Sequence, residues 1–309
     1  MCSNRAAKAL APQAGVALAI LVWFIAAMSL LVGAVVMQAR VDVKLTQLHA
    51  AKARAVALGD GAINLALAEM LVLENQGDLE SRRAHFSTKA LGGFTVRVTF
   101  TPVTGLIDLN MAPLELLVAV FMGAGNIDEN VARELAISVV EWRTSGGDDE
   151  EGSAAMRFGR FEAIEDLLLV PGINRTLFEV LRESVYVSQN GQSALDVMAA
   201  PESVLLALGM SEEDSQQYIQ ERRGGDGMSV GIPESIDPAF LSQSSLSSYR
   251  ADAVIYVDET TFLRRRWVDR VRTGEDGLPW RFYRTEATRA LTSKLSESLQ
   301  FREVPDAQY

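Results

Sequence analysis

Asp148-Asp149-Glu150-Glu151 is the densest run of oxygen donors in the chain, and it lies in a glycine-flanked stretch from Ser145 to Gly152. Hard cations such as Ca²⁺ take several carboxylate and carbonyl oxygens from a flexible loop, which makes this run a candidate metal site. Its spacing is not the alternating D-x-D-x-D-G of an EF-hand, and acidic runs are commonly solvated loops. A second candidate is Leu169-Val170-Pro171-Gly172-Ile173-Asn174. Backbone N–H groups at such a helix start suit phosphate. The chain carries a net charge of −11, however, and this hairpin has no basic cluster around it to neutralise a nucleic-acid backbone. A tight helix–helix turn with Ile173 in the core is the stronger reading, and no nucleic-acid partner is expected. Arg264-Arg265-Arg266, next to Trp267, falls in a strand pattern and reads as an exposed strand face. Nucleophilic catalysis finds no support. Cys2 is the single cysteine, no serine has a G-x-S-x-G setting, and His49 and His85 have neither a nucleophile motif nor a metal-site partner. The expectation is a non-enzymatic protein.

The remaining candidate for chemistry is the peptide bond between Gly15 and Val16. A short leader with Arg5, Lys8 and no acid ends at Gly15, and an uncharged apolar run extends from Val16 to Met37. That run is ~22 residues, or ~33 Å as a helix, enough to cross a hydrocarbon core of ~30 Å. Three readings are open at this level: a leader cut after Gly15, an ordinary secretory signal cut after the apolar run, and an uncleaved anchor. Ordinary signals have apolar regions of about 7 to 15 residues, shorter than this one. In all three the basic leader holds the N-terminus in the cytoplasm and the large remainder lies across the membrane. Loss of the leader would take the net charge from −11 to −13, because both its charges are positive. Such a surface does not attract nucleic acid or anionic lipid heads.

These features need elements to carry them. After Met37, the residues Leu45, Leu48, Lys52, Ala55 and Val56 keep helical spacing, and Ile63, Leu67, Met70 and Leu71 resume it. Gly59-Asp60-Gly61 between them is expected to weaken or kink the helix. Phe94, Val96, Val98 and Phe100 alternate with polar residues, as a half-buried strand does, and Pro102 and Gly105 end it. From Gly105 to about Arg223 the pattern is helical and carries a repeat. Ile107-Asp108-Leu109-Asn110-Met111-Ala112-Pro113 recurs ~88 residues later as Leu195-Asp196-Val197-Met198-Ala199-Ala200-Pro201. Pro113 and Pro201 each suit a first helical turn. Strand signals return at Ala253–Val257, Phe262–Val271 and Trp280–Arg284, with turns at Asp258-Glu259 and Gly274–Gly277. One strand before the helical block and three after it imply an α+β sheet domain interrupted by a helical insert.

This order of features is similar to the K-class minor pseudopilins of the type II secretion system. The residues that carry the resemblance are the Val16-Ala-Leu-Ala-Ile-Leu-Val-Trp-Phe24 start, Gly105-Leu-Ile-Asp-Leu-Asn-Met-Ala112, and Glu141-Trp142-Arg143. Further matches are Phe161–Leu167 with Val170–Ile173, the Leu195–Pro201 segment, and Arg281-Phe-Tyr-Arg-Thr-Glu286.

The resemblance implies a pilin-like transmembrane and stalk helix plus an antiparallel sheet, interrupted by a large all-α insert of two related helical modules. The boundaries it implies are a leader over 1–15, a transmembrane helix over 16–38, stalk and first strand over 39–104, insert over 105–223, and the remaining strands over 224–309. It further implies cleavage and methylation by the prepilin peptidase at Gly15-Val16, a single-pass inner-membrane protein, and a periplasmic head. The implied partners are the I- and J-class minor pseudopilins and the major pseudopilin; the implied cofactor is calcium, held in the insert by Asp148, Asp149, Glu150 and Glu151. The family often has Trp-x-Asp-x-Asp at this place, whereas this chain has Trp142-Arg143-Thr144-Ser145. Position five of the cleaved chain is Ile20, where major pilins have glutamate. A buried carboxylate is costly without a partner, and a subunit with none ahead of it has no partner to offer. The implied function is a tip subunit that nucleates the pseudopilus. A minor pilin of a type IV pilus or competence system, and a membrane-anchored periplasmic hydrolase, are the alternative readings.

Overall fold

The structure is a computed structural model that describes residues 14–75, 85–144, 159–188, 194–224, 231–233, 236–241, 248–270 and 277–291. Helix α1 runs over Ala14–Asn75, and the chain divides into two units, Met1–Arg54 and Ala55–Tyr309.

The described part of the first unit is helix, apolar up to Met37. Leu18 through Leu48 stands exposed all round, with Trp23 72% and Leu30 77% accessible. A helix that exposes apolar side chains on every side, as this one does from Leu18 to Met37, suits a bilayer. It is long and apolar enough to cross a membrane.

In the second unit, six strands form an antiparallel sheet: β1 His85–Leu91, β2 Phe94–Pro102, β5 Ser248–Val257, β6 Thr260–Arg270, β7 Trp280–Thr285 and β8 Arg289–Ala290. The order is β1-β2-β5-β6-β7, and β8 also pairs with β6. Gly92 and Gly93, with φ +57° and +84°, close the β1–β2 hairpin, a conformation that glycine adopts without a Cβ penalty. Asp258 and Glu259 make the β5–β6 turn, as expected, also at positive φ.

The strand count differs from the sequence expectation. Among the described residues, two strands of this sheet precede the helical block and four follow it. β1 reads His-Phe-Ser-Thr-Lys-Ala-Leu: its burial alternates between half-buried and exposed, but each side of this edge strand mixes polar and apolar residues, so its hydropathy does not alternate. β8 is two residues long, below what any pattern resolves.

Successive residues of a strand point to opposite sheet faces. On one face Val96, Val98, Phe100, Ala251, Ala253 and Ile255 are fully buried, and so are Ala55, Ala62, Ile63, Ala66 and Leu67 of α1. The helix continues through Gly59-Asp60-Gly61, contrary to the expected weak point. A Cβ at Gly59 would lie 2.8 Å from Arg264 Cβ, so the glycine lets α1 lie close on the sheet and packing overrides its low helix propensity.

Between β2 and β5 the chain leaves the sheet as a mostly helical block: β3 Ile107–Asp108, α2 Leu114–Gly125, α3 Glu129–Thr144, α4 Arg175–Leu181, β4 Val185–Tyr186, α5 Glu202–Ala207 and α6 Glu212–Gly224. One apolar cluster fills it, from Val103 to Ile236, and Trp267 of β6 joins that cluster. Pro102 and Tyr249, which flank the block, are sheet partners. The block therefore departs and returns at one place, which leaves the sheet register undisturbed.

Candidate functional site at the insert and its joint to the sheet

The insert is built on one device used twice. Asp108 starts a turn in which its Oδ1 accepts the Asn110 N–H at 2.9 Å and its carbonyl accepts Ala112 N–H at 2.8 Å. Asp196 starts the matching turn, with its Oδ1 accepting Met198 N–H at 3.0 Å. Pro113 and Pro201 sit at the N-caps of α2 and α5, with φ −65° and −71°. Each proline lacks an N–H that the first turn would leave orphaned anyway.

A single arginine then locks each turn. Arg143, at the end of α3, donates Nη1 to Leu109 O at 2.8 Å and Nη2 to Ala112 O at 2.7 Å. Arg222, at the end of α6, donates Nη1 to Val197 O at 2.9 Å and Nη2 to Ala200 O at 2.7 Å. The four carbonyls are equivalent positions of the repeat. The planar guanidinium fork suits this paired recognition. The parallel pairings also match: Ile107 N–H donates to Ser184 O, and Leu195 N–H donates to Phe240 O. The repeat read from the sequence is thus a repeat of geometry.

The two modules interlock. Asp196 N–H donates to Thr104 O at 2.8 Å. A Cβ at Gly105 would come within 2.2 Å of Ala199 O, and one at Gly123 within 2.1 Å of Ala207 O. Only glycine permits either approach.

The joint to the sheet is ionic. Glu183, between α4 and β4, meets Arg265 Nη2 at 2.6 Å and also pairs with Arg289. Its carbonyl accepts Arg250 Nη1 at 2.7 Å. Arg265 completes a second pair with Asp252 at 2.6 Å, and Arg182 meets Glu286 at 3.1 Å. Burial pushes the Glu183 carboxyl up, but Arg265, Arg250 and Arg289 outweigh it and hold the group far below the usual carboxylate range. Arg265 is pulled down by burial and raised well above its ordinary value by Asp252 and Glu183. Trp267 stacks on Tyr186 at 6.3 Å and donates its indole N–H to Glu286 Oε1 at 3.1 Å.

The expectation of an exposed strand face for Arg264-Arg265-Arg266 is corrected here. Arg265 is 2% accessible and faces the insert. Arg264 points the other way, to Asp60 of α1, and Arg266 stacks over Phe282, 3.3 Å from the ring centroid. Three consecutive arginines read as surface by charge alone. Each is instead desolvated against a carboxylate or ring hundreds of positions or tens of positions away in sequence.

The Leu169–Asn174 hairpin is the structural turn that its apolar residues suggest. Asn174 Oδ1 caps α4 by accepting Leu177 N–H at 2.9 Å, Gly172 has φ +88°, and Ile173 is buried. Of the other sequence candidates, Gly15 and Val16 fall within α1, while the leader before Ala14 lies outside the described residues. Ile20 is 62% accessible on the apolar helix. Asp148, Asp149, Glu150 and Glu151 lie outside the described residues. The ends of the segment that carries them are held together: Gly159 N–H donates to Trp142 O at 2.9 Å, and Trp142 stacks on Phe161. Among the described residues no group of three or more His, Cys, Asp or Glu is placed to hold a metal.

No family model and no curated protein matches the chain. Solved structures include a similar chain. It comes from the crystal structure of the GspK-GspI-GspJ complex of the enterotoxigenic Escherichia coli type 2 secretion system. The two chains share 16% identity, over 83% of this chain and 100% of that one, with a TM-score of 0.45. The paired arginine clamps and the Glu183 joint were not read from the sequence. Arg143 stood in a quoted motif, but nothing in its neighbours names the carbonyls it reaches.

Proposed function

We propose that this chain is a minor pseudopilin of the type II protein secretion system, placed at the tip of the pseudopilus, where it nucleates assembly. The observation that carries this reading is the placement of the insert. It rises from neighbouring positions on β2 and β5, and it joins the sheet on the face opposite to the one that packs on α1. By the K-class resemblance, an insert of this size would make the head too wide for another subunit above it.

The apolar first unit of α1 supports the membrane part of the reading: an inner-membrane anchor, released from its leader by the prepilin peptidase between Gly15 and Val16, with the head in the periplasm. Ile20 supports the tip part, since it removes a carboxylate that only a subunit ahead would pair. By the family resemblance the partners are the I- and J-class minor pseudopilins, then the major pseudopilin. Calcium at Asp148–Glu151 belongs to the same reading, and chelation is expected to lower the melting temperature.

The test is co-purification of the full-length chain from detergent with I- and J-class partners. A stoichiometric three-way complex is the expected result. Monomeric behaviour with both partners, together with normal secretion in a deletion strain, removes the proposal. Substitution of Gly15 is expected to leave uncut precursor; mature-sized protein from that variant removes the cleavage assignment.

A further inference from the structure

The part of α1 beyond Ala55 has an apolar face whose middle repeats when the helix is shifted by one turn. Residues four apart occupy one face, so a shift of four replaces Ala62 by Ala66, Ile63 by Leu67 and Leu67 by Leu71, while Met70 and Glu74 would take the buried places of Ala66 and Met70. Over the middle of this face apolar contact alone discriminates weakly between two axial settings on the sheet.

Two features do discriminate. The first is the notch at Gly59, where a Cβ would meet Arg264 Cβ at 2.8 Å and Ile255 Cδ1 at 3.2 Å. A shift of one turn in either direction brings Ala55 or Ile63 to this place, and neither fits. The second is a set of three polar residues of α1 whose side chains reach three strands. Asp60 takes Arg264 Nε at 2.9 Å and Nη2 at 3.0 Å. Asn64 Oδ1 accepts the Trp280 indole N–H at 3.3 Å. Glu69 accepts Ser87 Oγ at 2.9 Å and pairs with Lys89. These strands are β6, β7 and β1, so the contacts reach both edges of the sheet.

We infer that Gly59 with Asp60, Asn64 and Glu69 forms an axial lock that holds the helix and sheet in one register. The role of the lock rests on the function proposed above. A helix anchored in a membrane and drawn into a filament carries load along its axis at this joint, and a slip of four residues moves the head by ~6 Å.

Cysteine cross-linking tests it in the full-length, detergent-solubilised protein carrying Cys2→Ser. A Cβ at Gly61 would lie 3.6 Å from Leu91 Cδ1, so Gly61→Cys with Leu91→Cys reports the native register. Leu65→Cys with Leu91→Cys reports a slip of one turn. Removing the contacts with Asp60→Ala, Asn64→Ala and Glu69→Ala is expected to raise the slipped-to-native ratio roughly a hundred-fold, at about five-fold per contact. An unchanged ratio in that variant, with helix and sheet content intact, overturns the lock. Should it unfold, the exchange Asp60→Arg with Arg264→Asp decides. Return of the native cross-link in the double variant, after its loss in Asp60→Arg alone, sustains the lock; failure to return overturns it. No secretion partner enters the assay, so a lock that holds while co-purification fails removes only its assigned role.

Discussion

The two insert modules repeat one backbone device and differ in what surrounds it. In the second, Arg222 is 4% accessible and lies over Tyr218, 5.8 Å from the ring centroid. Tyr218 also reaches Met198 Sδ at 3.3 Å. In the first, Arg143 is half-buried, and the position of Met198 is taken by Asn110. Asn110 donates to Phe161 O and Ser188 O and accepts Phe161 N–H at 2.8 Å. Asp108 adds a bond from Ser188 Oγ at 2.9 Å. The difference follows chain length. In the first module a long excursion separates α3 from the returning β4, and a polar brace pins two points of it. In the second the return to Leu241 is short and an apolar surround suffices. The feature common to both is the arginine that satisfies two turn carbonyls, so the turn is what each module must hold fixed.

The comparison breaks most readily at the buried clamp. Arg222→Met removes the partner of Ala200 O inside the core, leaves Val197 O with the Ala200 N–H alone, and is expected to lower stability by about 3 kcal/mol. Chemical denaturation in detergent micelles measures it, and a loss below that of Arg143→Met contradicts the burial argument. Next is the brace. Asn110→Met gives the first module the residue of the second and is expected to cost about 2 kcal/mol, because Phe161 N–H and two carbonyls lose their partner. A neutral result would mean that the brace is dispensable. Arg143→Met is expected to cost about 1.5 kcal/mol, since its carbonyls regain water more easily.

The smallest effect is a pH dependence. Burial raises the Asp108 carboxyl above its ordinary 3.8, against the bonds from Asn110 and Ser188. Its folded value exceeds its unfolded value, so the fold takes up a proton between the two. Wild type should gain stability relative to Asp108→Asn as pH falls through that window, then level off below 3.8. Loss of stability over the same window would place the dominant influence on the bonds instead. Glu183 is shifted oppositely, so relative to Glu183→Gln its contribution is present above the ordinary carboxylate value and fades as pH falls below it.

What could be read directly was local. The membrane-length apolar run, the Asp258-Glu259 turn, the alternation of β2, and the Asp-x-x-x-Ala-Pro repeat are written in neighbouring residues, because hydropathy, turn chemistry and helix starts act over a few positions. β1 escaped because its half-buried side carries His85, Ser87 and Lys89 as well as Leu91, so hydropathy shows no alternation, and β8 because two residues carry no period.

The side-chain assignments divide in the same way. Residue types named Asn174 and Ile173 as parts of a turn, and Ile20 as an apolar helix position. They did not name Arg264 as the partner of Asp60, 204 positions away, nor Arg265 as the partner of Glu183, 82 positions away. A guanidinium in a strand pattern looks the same in water and in a buried pair. The sequence by itself determined the long apolar helix, the β2 alternation, the Asp258-Glu259 turn and the two repeated helix starts. Only the folded chain decided which charges lose their water and against whom, because that depends on sheet order and on the face each strand residue turns to its neighbour.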